Sequence, residues 1–435
     1  MKSERVLGVD VGTSYLKAAV LDRETGNPVG TIQHIHCPLD FPTPDTAELP
    51  LPRFWTALVG AVKAAIAESG TRDLVGFGIS CMMPVLVLLD AQERPLGPAW
   101  THLDRRGREV AKRVLTEVGK EFHASTGNLP LPGGMSAITY AQIARSRPEI
   151  GANIARYLHL NGWIAGQLCG QYAFDPANAA FTGLYDLFPN AGWSKRWCEY
   201  FNVRPEWLPR VQPGEAELGG LTASRAGELG LPAGLPIKLG SADTTSAWLA
   251  CEGRQGELLH VAGTTQVLAV QVERPTPGPK RLVRPLGVGN GFFHLVHNPV
   301  GGASLEWMRQ LCFSDVKPES FYSVEVDAAL IRKTSVRLDP PFLGGDRLEI
   351  EPRGAALGPL TLAADRSDLL AAVLVAMREG HGTALTQLGV PLDFSRIRLT
   401  GGAAKTVMKV IPDYGPDKVT LFDEGSLRGV AALFR

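Results

Sequence analysis

Leu7-Gly8-Val9-Asp10-Val11-Gly12-Thr13-Ser14 leads into the apolar run of residues 16–21, and the same design returns near the middle of the chain. There Leu258-Leu259-His260-Val261-Ala262-Gly263-Thr264-Thr265 leads into residues 267–270. Each copy reads as a strand, a tight turn carrying glycine and hydroxyl side chains, and a second strand. Such a turn aims backbone N–H groups and hydroxyls at one spot, which suits a phosphate. One copy in each half predicts a nucleotide clamped between two related lobes.

Composition narrows what those lobes can be. The 435 residues are enough for two or three domains, and 45% hydrophobic content excludes global disorder. Lys and Arg (44) balance Asp and Glu (44), with no basic run, which argues against a nucleic-acid or membrane-surface partner. Met1-Lys2-Ser3-Glu4-Arg5 runs straight into a strand without a signal-peptide core, and no apolar stretch has transmembrane length. Six scattered cysteines without a CxxC read as reduced thiols, so the expected location is the cytoplasm. His34/His36 and His294/His297 lack a Glu or Cys at zinc spacing and predict no metal site. A homodimer is compatible with the sequence, which carries no signal for oligomeric state.

Periodicity places strands at 6–9, 15–22 and 29–36, then a Pro-rich loop over 37–52. Phe54, Leu58, Val62 and Ile66 predict a helix over 54–69, with strands at 75–79 and 85–89. Helices follow around 106–118, 137–146 and 158–168. A strand at 235–239 ends in Gly240-Ser241-Ala242-Asp243, and a helix runs from 244 through 249. In the second half, Gly301-Gly302-Ala303-Ser304 opens a helix and a long helix spans 369–388. A strand at 396–400 ends in Gly401-Gly402-Ala403-Ala404-Lys405. The boundary falls near residues 243–256, which divides the chain into domains 1–245 and 246–435.

Phosphoryl transfer from ATP to a hydroxyl needs phosphate-holding turns, a carboxylate for Mg²⁺, a base beside the acceptor and a water-excluding cleft. Asp10, next to phosphate-binding N–H groups, would repel ATP unless Mg²⁺ lay between them. Its alternative is a turn-forming Asp. Asp243, just past a buried strand, can take the proton of a sugar hydroxyl, or it can cap the following helix. The small side chains after Gly401 let an adenine ring approach the backbone, or they form an ordinary strand–helix turn. Trp100, Asp104 and Arg105 suit a sugar through stacking and bidentate hydrogen bonds, or form a surface salt-bridge cluster. There is no GxxxxGK[ST], and Gly287-Val288-Gly289-Asn290-Gly291 lacks the strand–helix context of a dinucleotide turn.

In their order these motifs resemble the FGGY carbohydrate kinase family, xylulokinase-like members included, within the actin-like ATPase superfamily. The likeness runs through Val9 to Lys17, Ser80 to Asp90, Trp100 to Arg106, Asp175 with Ala179-Ala180, Asp186, Trp193-Ser194 and Gly240 to Asp243. It continues through Ala262 to Thr265, Gly301 to Trp307, Pro341-Phe342-Leu343-Gly344-Gly345-Asp346-Arg347 and Gly401 to Thr406. The resemblance implies an α/β fold of two actin-like (ribonuclease H-like) domains with a cleft between them. It implies a small sugar, a ketose or polyol, as substrate and Mg-ATP as phosphoryl donor. Asp243 would be the catalytic base, and Asp10 with Gly12, Thr13, Ser14 and Lys17 would organise Mg-ATP, Asp10 holding the metal. Gly263, Thr264 and Thr265 would hold the middle phosphates, and Gly401, Gly402, Ala403 and Lys405 would line the adenine site. Met82, Met83, Trp100, Asp104, Arg105 and Asp243 would face the sugar. Two departures stand out. The Gln-Met-His-Gly of xylulokinase-like members is Met82-Met83-Pro84-Val85 here, so the sugar-contacting histidine has no counterpart, and Ala403 replaces a usual glycine. They keep two rivals in view: a non-catalytic sugar or nucleotide sensor on the same scaffold, and a sugar-independent ATPase. The kinase reading requires Asp10 and Asp243 to be near enough for a triphosphate to bridge them.

Overall fold

A computed structural model describes residues 4–340, 349–351 and 354–435. The repeated motif proves to be a repeated sheet. In its first copy, β1 (Arg5–Val11), β2 (Tyr15–Asp22) and β3 (Pro28–His36) form an antiparallel meander. Helix α1 (Leu51–Ser69) follows, and β4 (Gly76–Cys81) then pairs parallel with β1. Strands β5 (Leu86–Leu89) and β6 (Arg156–His159) pair with each other in a smaller sheet, and α2 (Leu160–Cys169) leads away from it. Strands β7 (Glu217–Gly220) and β8 (Pro236–Ala242) complete the large sheet, in the order β7-β8-β4-β1-β2-β3, and α3 (Asp243–Ala250) leaves β8 directly.

The second copy repeats the plan with β9 (Glu257–Ala262), β10 (Gln266–Val272) and β11 (Phe292–Asn298). Then come α4 (Gly302–Cys312), α5 (Arg366–Leu388), β12 (Asp393–Thr400), α6 (Ala404–Val410) and β13 (Val419–Phe422). Five of its strands run in the order β11-β10-β9-β12-β13, with β9–β10 antiparallel and β9–β12–β13 parallel. Compare β3-β2-β1-β4-β8 in the first sheet: order and sense of the central pairs are the same.

Two compact units carry these sheets. One comprises Met1–Glu252, Val283–Phe292 and Glu424–Arg435; the other comprises Gly253–Leu282 and Phe293–Asp423. Helix α3 stays whole within the first unit, and the chain passes over after Glu252. Two later segments return to the first unit because they pack on its sheet, which no local pattern announces.

The first unit shows why β1 reads as almost wholly apolar. Its side chains alternate between two covered faces. Leu7, Val9 and Val11 join the core under α1, with Phe54, Leu58 and Val62. Val6 faces the other way, into a cluster with Leu427, Val430 and Leu433, and Gly8 and Asp10 share that second face. Helix α1 begins at Leu51, earlier than the expected 54, because Pro52 sits in the first turn, where a proline costs no hydrogen bond. It stops at Gly70, whose φ of 64° makes a left-handed cap. The predicted helix 158–168 begins two residues late: Leu158 and His159 are strand, and the helix starts at Leu160. A buried apolar run looks the same in either state. The motif at 341–347 lies outside the described residues, none of whose helices is long and apolar enough to cross a membrane.

Candidate active site

Register builds the site. Asp10 on β1 lies opposite Lys17 on β2 and opposite Ser80 on β4, and Ser80 lies opposite Ser241 on β8. Directly opposed residues project from the same face. Lys17, Asp10, Ser80 and Ser241 therefore form one polar row across four strands. It lies one residue short of the carboxyl ends of β1, β4 and β8, where open α/β sheets bind ligands.

Gly240 makes the row possible at β8. The pairing of β8 with β4 slips between Lys238 and Ser241, so that Leu239 and Gly240 oppose Ile79 alone. Gly240 has φ of 64°, and a Cβ there would lie 1.6 Å from the Ile79 carbonyl oxygen. Only glycine fits such a bulge, which re-aims the residues that follow.

Asp10 is 2% exposed. Oδ1 accepts a hydrogen bond from Ser80 Oγ (2.9 Å) and Oδ2 one from Ser426 Oγ (2.6 Å). Lys17 Nζ lies 3.7 Å from Oδ2 and 2.7 Å from Glu424 Oε2. Burial pushes the Asp10 carboxyl above its ordinary value; Lys17 and the two hydroxyls oppose this, and the charge of Asp243 adds to it. For Lys17, burial disfavours the ammonium, but Asp10 and Glu424 more than offset that and its pKa rises.

Asp243 is the first residue of α3 and not its N-cap, a position held by Ala242. Its half-buried carboxylate accepts the Thr244 N–H at 2.6 Å. The next two hydroxyls hold a buried cation: Arg284 Nη1 donates to Thr244 Oγ1 (2.7 Å) and Nη2 to Thr245 Oγ1 (3.2 Å). Burial lowers the Arg284 pKa to about 10, against the pull of Asp243 and Asp175. Met83 Sδ, on the expected sugar side, lies 3.8 Å from Arg284 Nη1; Met82 is buried beside it.

Behind this edge runs a buried polar chain. Ser241 Oγ donates to Asp175 (2.8 Å), which also accepts from Asn161 (2.9 Å) and Asn178 (2.6 Å). Asn178 meets His159 Nδ1 (2.9 Å), and His159 Nε2 meets Ser136 Oγ (2.8 Å). Burial lowers the His159 pKa to about 4, so the ring is neutral.

Each Gly-Thr turn is closed by its glycine N–H, across three residues in the first copy and two in the second. Gly12 N–H bonds the Tyr15 carbonyl (2.9 Å), and Gly263 N–H bonds the Thr265 carbonyl (3.1 Å). Thr13 is half-buried, Ser14 exposed, Thr264 exposed and Thr265 half-buried, so each turn offers at least one hydroxyl to solvent. In the second unit the start of α4 closes on its turn: Gly302 N–H bonds the Gly263 carbonyl and Ala303 N–H the Thr264 carbonyl, both at 3.0 Å. A Cβ on Gly301 would lie 2.7 Å from the Thr264 oxygen, which explains the glycine. Gly401 (φ 105°) folds back so that the Ala403 N–H reaches the Ala262 carbonyl at 2.9 Å. Gly402 is exposed, with nothing within 4 Å of where a Cβ would stand. That open shelf fits a flat ring, and exposed Lys405 stands in the first turn of α6 beside it. At the first turn, the Asp10 carboxylate and flanking hydroxyls are the oxygen donors that Mg²⁺ prefers.

The expected sugar cluster is engaged within the fold. Trp100 is 1% exposed. Asp104 is fully buried, accepting from the Ala47 N–H (3.1 Å) and pairing with Arg106 (2.8 Å), which also reaches Glu48. The Arg105 guanidinium donates to the Pro132 carbonyl. Conversely, Ser241, Arg284, Glu424 and Ser426 join the site although the sequence reading did not single them out. Ser80 and Ser241 lie within recognised motifs; Arg284, Glu424 and Ser426 come from distant segments and carry no local signal.

The family model described as the FGGY family of carbohydrate kinases, N-terminal domain, matches residues 5–250. A gluconokinase of Bacillus subtilis is 24% identical over 419 residues, covering 92% of this chain and 80% of that protein. The L-xylulose/3-keto-L-gulonate kinase of Escherichia coli is 27% identical with the same coverage. The ligand-bound crystal structure of xylulose kinase from Lactobacillus acidophilus superposes with a TM-score of 0.88 at 18% identity, over 99% of this chain and 88% of that one. This last likeness concerns the fold.

Proposed function

The chain belongs to the FGGY family of carbohydrate kinases, and we propose that it moves the terminal phosphoryl group of ATP onto a hydroxyl of a small ketose or polyol, with Asp243 as base. ATP-dependent sugar phosphorylation is the activity of its family and relatives. The observation that carries the residue assignment is the polar row at the strand ends, with Asp243 two residues beyond Ser241 and its charge among those that raise the Asp10 pKa.

Asp243 accepts the proton of the sugar hydroxyl as its oxygen attacks the terminal phosphorus and the bond to the ADP oxygen breaks. Gly12, Thr13 and Ser14 orient phosphate oxygens through N–H and hydroxyl groups, and Lys17 brings a cation to the same face. Asp10 is the ligand for Mg²⁺, which when bound screens phosphate charge. Gly263, Thr264 and Thr265 hold the middle phosphates, and Gly401, Gly402, Ala403 and Lys405 receive the adenine. Met82 and Met83 line the sugar side against Arg284, while Trp100, Asp104 and Arg105 shape the loop behind.

A coupled ADP-release assay over ketoses, aldoses and polyols tests this reading. One sugar should stimulate ADP release, and Asp243→Asn should remove that stimulation, on the order of 10³-fold, while Mg-ATP still binds. ADP release that is equal with and without every sugar would favour the ATPase rival. No turnover at all, with ligand binding retained, would favour the sensor.

A further inference from the structure

We propose that segment 424–435 is part of the phosphate apparatus: Glu424 is a positioning residue that sets where the Lys17 ammonium stands, and Ser426 orients the Asp10 carboxylate. The proposal rests on the reading of Asp10 and Lys17 as nucleotide residues.

Placement comes first. The segment lies along the face of β1 and β4 that carries Gly8, Gly76 and Gly78. A Cβ on Gly78 would lie 2.6 Å from Val430, one on Gly76 would lie 2.1 Å from Phe434, and one on Gly8 would lie 3.3 Å from Leu427. On its other side, Gly429 touches α3, the helix that begins at Asp243: a Cβ there would stand 1.7 Å from the Ser246 carbonyl oxygen. Lys238 Nζ, on β8, holds the Leu433 carbonyl at 2.6 Å. A segment seated this closely delivers its side chains to fixed points. Glu424 itself has φ of 55°, left-handed backbone that is costly for a residue with a side chain and persists where the surroundings impose it.

Electrostatics supplies the reason. Lys17 stands between two carboxylates and is closer to Glu424 (2.7 Å) than to Asp10 (3.7 Å). Glu424 also faces His34, whose Nε2 lies 3.8 Å from Oε1. Removing the Glu424 charge leaves Asp10 as the nearer attraction for the ammonium. Lys17 would then fall onto the carboxylate that the nucleotide's metal needs and quit the position from which it meets phosphate. Ser426 and Ser80 bond different oxygens of Asp10, which fixes the carboxylate plane.

The test is equilibrium binding of Mg-ATP to the full chain, together with KM values for ATP and sugar. Glu424→Gln, which keeps shape and removes charge, should weaken Mg-ATP binding about tenfold or more and leave the sugar KM and the melting temperature unchanged. Glu424→Asp should recover part of the loss, and Ser426→Ala should shift Mg²⁺ dependence upward. In a Lys17→Met background, Glu424→Gln should add nothing further. Unchanged Mg-ATP binding in Glu424→Gln, or a loss fully additive with Lys17→Met, overturns the proposal. If Glu424→Gln melts early, Ser426→Ala decides by the same measurements. A wild-type chain that binds Mg-ATP but phosphorylates no sugar would count against the functional reading alone, because the binding comparison still stands.

Discussion

Ser241 Oγ lies 2.8 Å from Oδ1 of Asp175, a carboxylate with no exposed surface that accepts from five donors in all. Burial pushes its pKa up and the hydrogen bonds pull it back. Because Ser241 stands two residues before Asp243, this buried group fixes the turn that presents the proposed base. Asp175→Ala would strand several buried donors. It should cost about 3 kcal/mol or more, read from the urea midpoint, and Asp175→Asn should cost less.

Arg284 tests the other support of Asp243. Its guanidinium holds the hydroxyls of Thr244 and Thr245, the two residues after Asp243, while 3% exposed. Arg284→Lys keeps a charge but loses the two-pronged hold. Sugar phosphorylation should fall on the order of 10²-fold through misplacement, with Mg-ATP affinity preserved. A variant that retains full kcat would show that α3 orients Asp243 unaided.

Two glycines separate fold from function. Gly240→Ala forces a Cβ against the Ile79 carbonyl at a left-handed φ and should cost at least about 3 kcal/mol. Gly402→Val adds bulk where nothing lies within 4 Å. It should leave the melting temperature unchanged and raise the ATP KM, because the shelf proposed for adenine is then filled. An unchanged ATP KM would move the adenine elsewhere.

Acid should destabilise the second unit. His260 is bonded to Tyr414 (2.7 Å) and Gln266 (2.6 Å) and stacks on His381 at 5.3 Å. Burial lowers their pKa values to about 3 and about 4, from 6.5 in a free chain. Folded pKa values below the unfolded ones mean that the unfolded chain binds more protons in between. The stability is therefore fully present above pH 6.5 and is lost as pH falls towards 4 and 3. For His381 alone the loss amounts to roughly 3 kcal/mol. Urea midpoints at pH 7 and pH 4.5 should differ accordingly, and His381→Phe should flatten the difference.

Local pattern made much of this legible. The paired strand–turn–strand motifs, the 3.6-residue spacing of Phe54, Leu58 and Val62, and the glycine before Asp243 report on neighbours within a few residues. Trp100 and Asp104 gave no local sign of their burial, because an aromatic beside charges looks alike on a sugar surface and in a buried ion pair. The polar row needed strand register, which depends on pairing between distant segments. Glu424 and Ser426 needed the return of their segment to the first unit, for which the deciding signals are the glycines at 8, 76 and 78, far upstream.

Ser426 and Asp10 are 416 residues apart in sequence yet share a hydrogen bond. During synthesis β1 emerges early, with one flank bare until residues 424–435 leave the ribosome. A contiguous fragment such as 1–252 would keep that flank open, with its glycine seat facing water. Shortening this protein to a free-standing first unit would therefore require grafting the later segment back on, and a nascent chain should complete that flank only once residues 424–435 have emerged.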